Sequence, residues 1–223
     1  MRTLAIGDIH GCFWQLKLLE SAAQLSAEDR IVTLGDLVDR GPDTRQVIQW
    51  HIDRSDWNLI PICGNHEIMM LSSASCDETH EEWLNCGGDA VLESYGVNHV
   101  SEIPVEHLQF IERQLVPYHV AEKAFFVHAN AWPELDLDEQ PDEILYWDTA
   151  VERAAHVSGR TMICGHTPQR DGIPLDMGHA ICIDTAACKG GWLTCLDVNS
   201  RYCWQANQQG ETRSFWLDEG PSQ

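Results

Sequence analysis

The N-terminal part of the chain alternates between short apolar runs and segments with helical spacing. Apolar runs at residues 3–6, 30–34 and 59–63 each lead into a glycine followed by a polar side chain, and they predict buried strands. Residues 13–25 and 43–54 have the spacing and polar flanks that predict helices. This alternation of strands and helices favours parallel pairing and an α/β architecture.

The rest of the chain changes from mainly helical to mainly β. Residues 66–114 favour helices separated by polar breaks, and residues 118–120 and 124–127 favour a pair of strands. An acidic segment with two prolines, residues 133–143, predicts a surface loop. Further strands are predicted, in chain order, at residues 161–164, 180–184, 192–198 and 202–205.

Length and composition favour one globular domain. A chain of 223 residues can bury one large core, and a hydrophobic share of 43% is ordinary for such a domain. We expect this domain to cover residues 1–206, with a polar and partly disordered C-terminal tail at residues 207–223. We expect no signal peptide, because the first apolar run starts at residue 3 and leads directly into Gly7-Asp8, and no apolar run approaches membrane-spanning length. The nine cysteines lack metal-binding spacing, which favours free thiols and a cytoplasmic location.

The charge balance argues against two classes of partner. The chain has 35 acidic and 14 basic residues, for a formal net charge of -21. A nucleic-acid binder needs a basic footprint, and an anionic membrane repels an acidic surface, so we expect neither partner. A phosphate substrate remains compatible, because cations held by acidic and imidazole ligands make a site locally positive.

Five short motifs place metal-binding side chains after apolar runs. In chain order they are Gly7-Asp8-Ile9-His10-Gly11, Gly35-Asp36-Leu37-Val38-Asp39-Arg40-Gly41, Gly64-Asn65-His66-Glu67, Val127-His128-Ala129-Asn130 and Gly165-His166-Thr167. In α/β folds, ligands bind beyond the carboxyl ends of the strands.

Asp8 and His10 point to the same side of extended backbone, and Asp36 has two oxygens with which to bridge two cations. The natural ligands of the second metal are Asn65, His128 and His166. These oxygen and imidazole ligands predict a two-metal phosphoesterase.

A fourth histidine and an arginine are expected to handle the phosphate. His66 follows a presumed ligand directly, and we expect it to be the general acid, oriented by Asp39. A packing role in the core is the alternative for His66. Arg40 carries a fork of donors that fits phosphate oxygens, with a salt bridge to Asp43 as the alternative. Glu67 is expected to hold backbone groups or a histidine rather than a metal.

The motifs GDIHG, GDLVDRG, GNHE, HA and GHT, in this order, resemble those of the calcineurin-like metallophosphoesterases. More narrowly, they resemble the phosphoprotein phosphatase family, which includes bacterial and phage serine/threonine phosphatases. The resemblance covers most of the chain, and it implies an α/β fold with two mixed β-sheets packed as a sandwich and flanked by helices.

The same resemblance implies the roles of the site residues. One metal would be held by Asp8, His10 and Asp36, and the second by Asp36, Asn65, His128 and His166. Asp39 and His66 would form the acid pair, and Arg40 would bind phosphate. The implied reaction is direct attack by a metal-bridging hydroxide, with His66 as general acid. Of the divalent metals, manganese is expected first, with iron and zinc as alternatives that suit the same ligands.

Three positions depart from the family pattern. Asn130 and Ala186 stand where the family usually has glycine. Family members also carry a second phosphate-binding arginine near a tryptophan, but here the segment 146–149 is Tyr-Trp-Asp-Thr. Arg153 is the nearest substitute, in the wrong register. The expected substrate-binding residues are therefore Arg40, Asn65 and Arg153.

Three hypotheses about function follow. The first is a phosphomonoesterase acting on phosphoserine or phosphothreonine in proteins, with phosphotyrosine and phosphorylated small molecules as further candidates. The second is a symmetrical diadenosine tetraphosphate hydrolase, which needs basic or aromatic residues for the nucleoside ends; few of the 14 basic residues are spare. The third is a non-catalytic scaffold, and the retention of every presumed ligand argues against it.

Overall fold

The computed structural model describes residues 1–150 and 154–221. Its strands are β1 Thr3–Ile6, β2 Arg30–Thr33, β3 Asn58–Pro61, β4 Tyr118–Val120, β5 Ala124–Val127, β6 Thr161–Cys164, β7 Leu175–Asp176, β8 Ala180–Cys182, β9 Trp192–Asp197, β10 Tyr202–Asn207 and β11 Thr212–Trp216. Its α-helices are α1 Phe13–Ala23, α2 Thr44–Ile52, α3 Asn65–Ser72, α4 Asp77–Trp83, α5 Asp89–Tyr95, α6 Val105–Arg113 and α7 Asp142–Trp147. A π-helical turn, Leu84–Gly88, joins α4 to α5.

The strands form two mixed sheets. The first sheet has the order β11-β10-β9-β1-β2-β3, and the second has the order β4-β5-β6-β8-β7. Strands β1, β2 and β3 are parallel, as are β5, β6 and β8, while the remaining pairs are antiparallel. The expected α/β fold with two mixed sheets flanked by helices is confirmed. Because both parallel sets end on the same side, their following loops can meet at one end of the sandwich.

Two of the three apolar clusters among the described residues meet on opposite faces of β1. Along β1, Leu4 and Ile6 pack into the cluster formed with α1 and the other helices, whereas Ala5 belongs to the cluster between the sheets. All four residues of β1 are buried. A strand covered on both faces appears in sequence as a continuous apolar run, which is why β1 was predictable from its pattern.

The prediction of a polar, partly disordered tail at residues 207–223 is wrong for most of that segment. Residue 206 lies inside β10, and β11 pairs with β10 in antiparallel register from Tyr202 opposite Trp216 to Ala206 opposite Thr212. Phe215 and Leu217 are buried in the cluster between the sheets. The segment looked polar because only one face of this edge strand is covered, so it lacks a continuous apolar run.

Two other differences concern the second half of the chain. The predicted loop at residues 133–143 contains a 3₁₀ turn and the start of α7. The two-residue strand β7 was not predicted, because so short a run carries no periodicity. None of the helices in the described ranges is long and apolar enough to cross a membrane.

One departure from the family pattern has a conformational consequence. Ala186 has φ 61° and ψ 42°, in the left-handed region where a Cβ costs roughly 1–2 kcal/mol. We expect Ala186→Gly to be milder than Ala187→Gly by about 1–2 kcal/mol, because both changes remove a buried methyl group but only the first relieves this backbone cost. Denaturant unfolding of both variants measures the difference, and equal free energies of unfolding would contradict the assignment.

Candidate metal centre

The expected ligands come together at one end of the sandwich. They lie just after the strands or at the start of a helix: Asp8 and His10 after β1, Asp36 after β2, Asn65 at the start of α3, His128 after β5 and His166 after β6. Several residues of these loops have a left-handed backbone, namely His10, Asp36, Asp39, Arg40 and His166. Such strained conformations in non-glycine residues cluster at functional sites, where the surrounding structure over-determines them.

Two glycines let the loops approach the carboxylates closely. A Cβ on Gly64 would lie 2.3 Å from Oδ1 of Asp36, and a Cβ on Gly165 would lie 2.0 Å from Oδ1 of Asp8. Both distances are far inside van der Waals contact. Glycine at these two motif positions is therefore required by the packing around the carboxylates.

Asp36 stands between two groups of possible ligands. Within the described residues, one group contains His10, Asp36 and His66, and the other contains Asp36, His128 and His166. Oδ2 of Asp36 lies 3.4 Å from Nε2 of His10, and Oδ1 lies 3.4 Å from Nε2 of His128. The two oxygens thus face different groups, which is the geometry that a bridging carboxylate needs.

Hydrogen bonds to backbone carbonyls orient two of the imidazoles. Nδ1 of His10 lies 2.9 Å from the carbonyl oxygen of Val38, and Nδ1 of His128 lies 2.7 Å from that of Leu34. Each contact assigns the proton to Nδ1 and leaves the lone pair of Nε2 directed at the site. This is the usual way in which outer groups set the tautomer of a metal-binding histidine.

The second group also includes the side chain of Asn65. Its Oδ1 lies 3.0 Å from Nε2 of His128 and 3.1 Å from Nδ1 of His166, and these two nitrogens are 3.1 Å apart. Because Nε2 of His128 has no proton in the tautomer described above, acceptor atoms converge here. A cation satisfies such a cluster, so the donor set fits a divalent metal.

Burial keeps these histidines in the form that can bind a metal. It lowers the pKa of His10 to about 3 and that of His166 to about 4, and it also lowers the pKa of His128. All three imidazoles are therefore neutral near pH 7, and a neutral imidazole is the metal-binding form.

Asp8 lies beside the two groups and is absent from both. Its two oxygens accept from the backbone N–H of His166, at 3.1 and 3.0 Å. Burial and the nearby carboxylates of Asp184 and Asp36 raise the pKa of Asp8 well above its usual range. Asp184, which the sequence analysis did not single out as a site residue, thus adds to the concentration of negative charge. Three carboxylates crowded in this way favour a bound cation.

His66 and Asp39 form the expected pair. Nδ1 of His66 lies 2.5 Å from Oδ2 of Asp39, and both side chains are buried. The indole N–H of Trp83 donates to the other oxygen of Asp39 at 2.9 Å. Burial lowers the pKa of His66, but the carboxylates of Asp36 and Asp39 outweigh burial and raise it. Trp83 was missed by the sequence analysis, because nothing in its local pattern links α4 to the second motif.

Glu67 has the structural role expected from the sequence. Its carboxylate accepts from the backbone N–H groups of Asp36, Leu37 and Val38 at 3.0, 2.7 and 3.2 Å. It also accepts from the N–H of Gly64 at 2.8 Å. This fully buried side chain therefore fixes the loop that carries Asp36 to the start of α3.

Arg40 reaches into the site from the same loop. Its Nη1 lies 2.6 Å from Nε2 of His10, and its backbone N–H donates to the carbonyl of Gly87 at 2.9 Å. The π-helical turn thus anchors the backbone of Arg40 beside the first ligand group. Arg153, the expected second arginine, lies outside the described residues.

A groove opens beside the acid pair. It has a volume of about 490 Å³, and its walls include Met69, Trp83, Cys86 and Trp147. Trp147 is 46% exposed, whereas Trp83 is buried and bonded to Asp39. The groove therefore presents aromatic surface close to the His66 side of the site.

Comparisons with known proteins agree with this geometry. The family model for calcineurin-like phosphoesterases matches residues 1–186. Serine/threonine-protein phosphatase 1 of Salmonella typhimurium is 30% identical over 206 residues, covering 85% of this chain and 88% of that protein. A symmetrical bis(5'-nucleosyl)-tetraphosphatase of Pseudomonas fluorescens is 32% identical over 141 residues, covering 61% of this chain. The aligned part spans only 45% of the tetraphosphatase.

Solved structures show the same fold at low sequence identity. A putative diadenosine tetraphosphatase superposes with a TM-score of 0.64 at 20% identity, covering 100% of this chain and 94% of the other. A cold-active protein-tyrosine phosphatase of a Shewanella species superposes with a TM-score of 0.66 at 15% identity, covering 96% and 80%. With the family match over most of the chain, the resemblance inferred from the motifs is confirmed. The chain belongs to the calcineurin-like phosphoesterase family.

Proposed function

We propose that this chain hydrolyses phosphate monoesters on serine and threonine side chains of proteins, and on tyrosine to a lesser extent. The observation that carries the proposal is the position of His66: an acid paired with Asp39 stands beside the carboxylate that faces both ligand groups. The similarity to a serine/threonine-protein phosphatase over most of both chains supports this substrate class. A scaffold without activity has no need for such a pair.

Two divalent metals are part of the proposal, with manganese as the first choice. Asp8, His10 and Asp36 would hold one metal, and Asp36, Asn65, His128 and His166 the other. When bound, two such metals neutralise phosphoryl charge and lower the pKa of water. The protein contributes a fixed ligand set: Glu67 holds the Asp36 loop, and backbone carbonyls orient the imidazoles of His10 and His128.

The remaining side chains act on the substrate. With Nδ1 of His66 bonded to Asp39, the opposite nitrogen, Nε2, is the one available to donate a proton to the leaving oxygen. Arg40 would bind the phosphoryl oxygens with its guanidinium fork. Asn65 would contribute to substrate binding as well as to the metal.

We expect Arg40→Ala to lower kcat/KM by roughly 10²–10³, the range seen when a donor to a developing oxyanion is removed. Arg40 is already placed against the first ligand group, so its charge is close to the proposed phosphate position. Arg153→Ala is the matched control, and we expect it to be nearly silent. Steady-state kinetics on p-nitrophenyl phosphate measures both variants. A larger loss at Arg153 than at Arg40 would show that the second arginine is restored from residue 153.

The second candidate function is symmetrical hydrolysis of diadenosine tetraphosphate. The groove beside the acid pair favours it, because its exposed Trp147 is an aromatic side chain of the kind that stacks with nucleobases. The similarity to a tetraphosphatase adds support, although the aligned part spans less than half of that protein.

A substrate panel with the manganese-loaded protein tests both candidates. Peptides of one sequence carrying phosphoserine, phosphothreonine or phosphotyrosine are compared with diadenosine tetraphosphate, with phosphate and ADP release as the measurements. We expect the highest kcat/KM on phosphoserine or phosphothreonine peptides. Higher kcat/KM on the dinucleotide, with ADP as product, would favour the second candidate.

A pair of tryptophan variants makes this comparison sharper. Trp147 and Trp216 are almost equally exposed, at 46% and 47%, but only Trp147 lines the groove. If the groove binds adenine, Trp147→Ala lowers turnover of the dinucleotide and Trp216→Ala does not. No turnover of any substrate in the panel, despite bound metal, would leave the scaffold as the better explanation.

A further inference from the structure

Two of the positions that depart from the family pattern are in contact with each other. Asn130 is fully buried, and its Nδ2 donates to Oδ2 of Asp148 at 3.0 Å. The same nitrogen donates to the backbone carbonyl of Thr149 at 2.9 Å. The family's usual glycine at position 130 has no side chain with which to make these bonds. Asn130 thus attaches the segment 147–150 to the loop after β5.

Two other polar groups of Asn130 are also bonded. Its Oδ1 accepts from the N–H of Ala131 at 2.9 Å, and its backbone N–H donates to the carbonyl of Ile144 at 3.2 Å. An amide that is buried with donor and acceptor both bonded has a fixed orientation. Asn130 therefore holds segment 147–150 in a defined position relative to His128, which lies two residues before Asn130 in the same loop.

Segment 147–150 contacts the loop after β6 on its other side. The N–H of Ala150 donates to Oγ1 of Thr167 at 2.7 Å. Thr167 directly follows His166 in the chain, so this bond ties the segment to the loop that carries the imidazole. The segment is therefore attached both to the loop after β5, through Asn130, and to the loop that carries His166.

We propose that Asn130 is a positioning residue: it holds segment 147–150 against the loop that carries His166, so that the imidazole keeps its direction toward Asn65 and His128. This inference rests on the proposed ligand roles of His128 and His166, and it goes beyond them by assigning a function to a departure from the family pattern. The Asn130 side chain links the loops that carry both histidines without binding metal itself.

The physical expectation is a loss of metal affinity with the protein still folded. Removing a group that orients a ligand typically costs roughly 10–100-fold in metal affinity. Since Asn130 acts through the segment rather than directly on His166, we expect Asn130→Gly to lose about tenfold, at the lower end of that range. Asn130→Asp should lose at least as much, because a carboxylate cannot donate and would face the carboxylate of Asp148.

The test is a calorimetric titration of metal-free protein with manganese alone. Amide hydrogen exchange of Ala150 in the metal-free protein provides a second measurement that does not depend on metal or activity. We expect faster exchange at Ala150 in both Asn130 variants. Thr167→Val removes the hydroxyl oxygen that accepts from the N–H of Ala150. This variant replaces the Asn130 variants in the exchange measurement if they do not fold.

The matched control is Gln140→Ala. Gln140 is a buried amide that holds the later part of the same loop, accepting from the N–H of Trp132 and donating to the carbonyls of Trp132 and Leu135 rather than to segment 147–150. We expect Gln140→Ala to lower the free energy of unfolding and to leave manganese affinity unchanged. If Asn130→Gly behaves in the same way, Asn130 is merely structural and the proposal is overturned.

His166→Ala separates this proposal from the assignment of the metal centre. It should lose the second metal outright. If His166→Ala binds manganese as the unaltered protein does, the ligand assignment fails, and the positioning role fails with it. If His166→Ala loses metal while the Asn130 variants keep full affinity, only the positioning role is wrong.

Discussion

Asp36→Asn is expected to weaken both metal sites and to abolish turnover. Each oxygen of Asp36 lies 3.4 Å from an imidazole nitrogen of a different ligand group, His10 on one side and His128 on the other. An asparagine side chain offers one good acceptor oxygen, so it cannot serve both groups. Elemental analysis should find fewer than two tightly held metals per chain, and circular dichroism should show that the fold is retained.

Asp53→Asn is a suitable control for this variant. It removes the same charge from an exposed side chain that bonds Gln49 on α2, outside the metal centre. Metal content and turnover should not change. Two tightly held metals in a folded Asp36→Asn protein would contradict the bridging role of Asp36.

His66→Asn is expected to lower kcat by roughly 10²–10⁴ while the metals are retained, the range for a lost general acid. The loss should be smaller for p-nitrophenyl phosphate than for alkyl phosphates, because a good leaving group needs no proton. The comparison also separates two roles, since His66 lies in one of the two possible ligand groups. Loss of metal in His66→Asn, or an equal fall in kcat for both kinds of leaving group, would indicate that His66 is a metal ligand rather than the general acid.

The pH dependence of kcat provides an independent test of the same residue. A general acid must be protonated, so activity falls as pH rises through the pKa of His66. Asp36 and Asp39 raise that pKa, so the protonated form persists to higher pH than for an ordinary histidine. We expect His66→Asn to lose this alkaline decline. Trp83→Phe removes a donor to Asp39, and it should move the decline without removing it.

Much of the architecture was predictable because it depends on local pattern. Strands β1 and β6 lie within the predicted bounds, since runs covered on both faces are continuously apolar. The six expected ligands also converge, because motifs that follow parallel strands meet at one end of a sheet. Their individual roles at the metals stay predictions.

What could not be predicted depends on distant partners. Trp83 bonds Asp39 across 44 positions, and its surroundings in α4 contain no motif. Asn130 appeared only as an unusual residue, and its contact with Asp148 depends on how α7 folds back. β11 was missed because an edge strand with one covered face has too few apolar residues to stand out.

The position of β1 in the first sheet has a consequence for how the protein is made. β1 lies between β2, which follows it closely in the chain, and β9, which is near the other end. The ribosome adds roughly 5–20 residues per second, so one edge of β1 stays unpaired for up to tens of seconds until β9 has been made. During that interval an apolar strand has an unpaired edge that can bind other nascent chains. Completion of the sheet therefore waits for the synthesis of β9, and truncation before β9 should yield aggregating protein rather than a smaller folded domain.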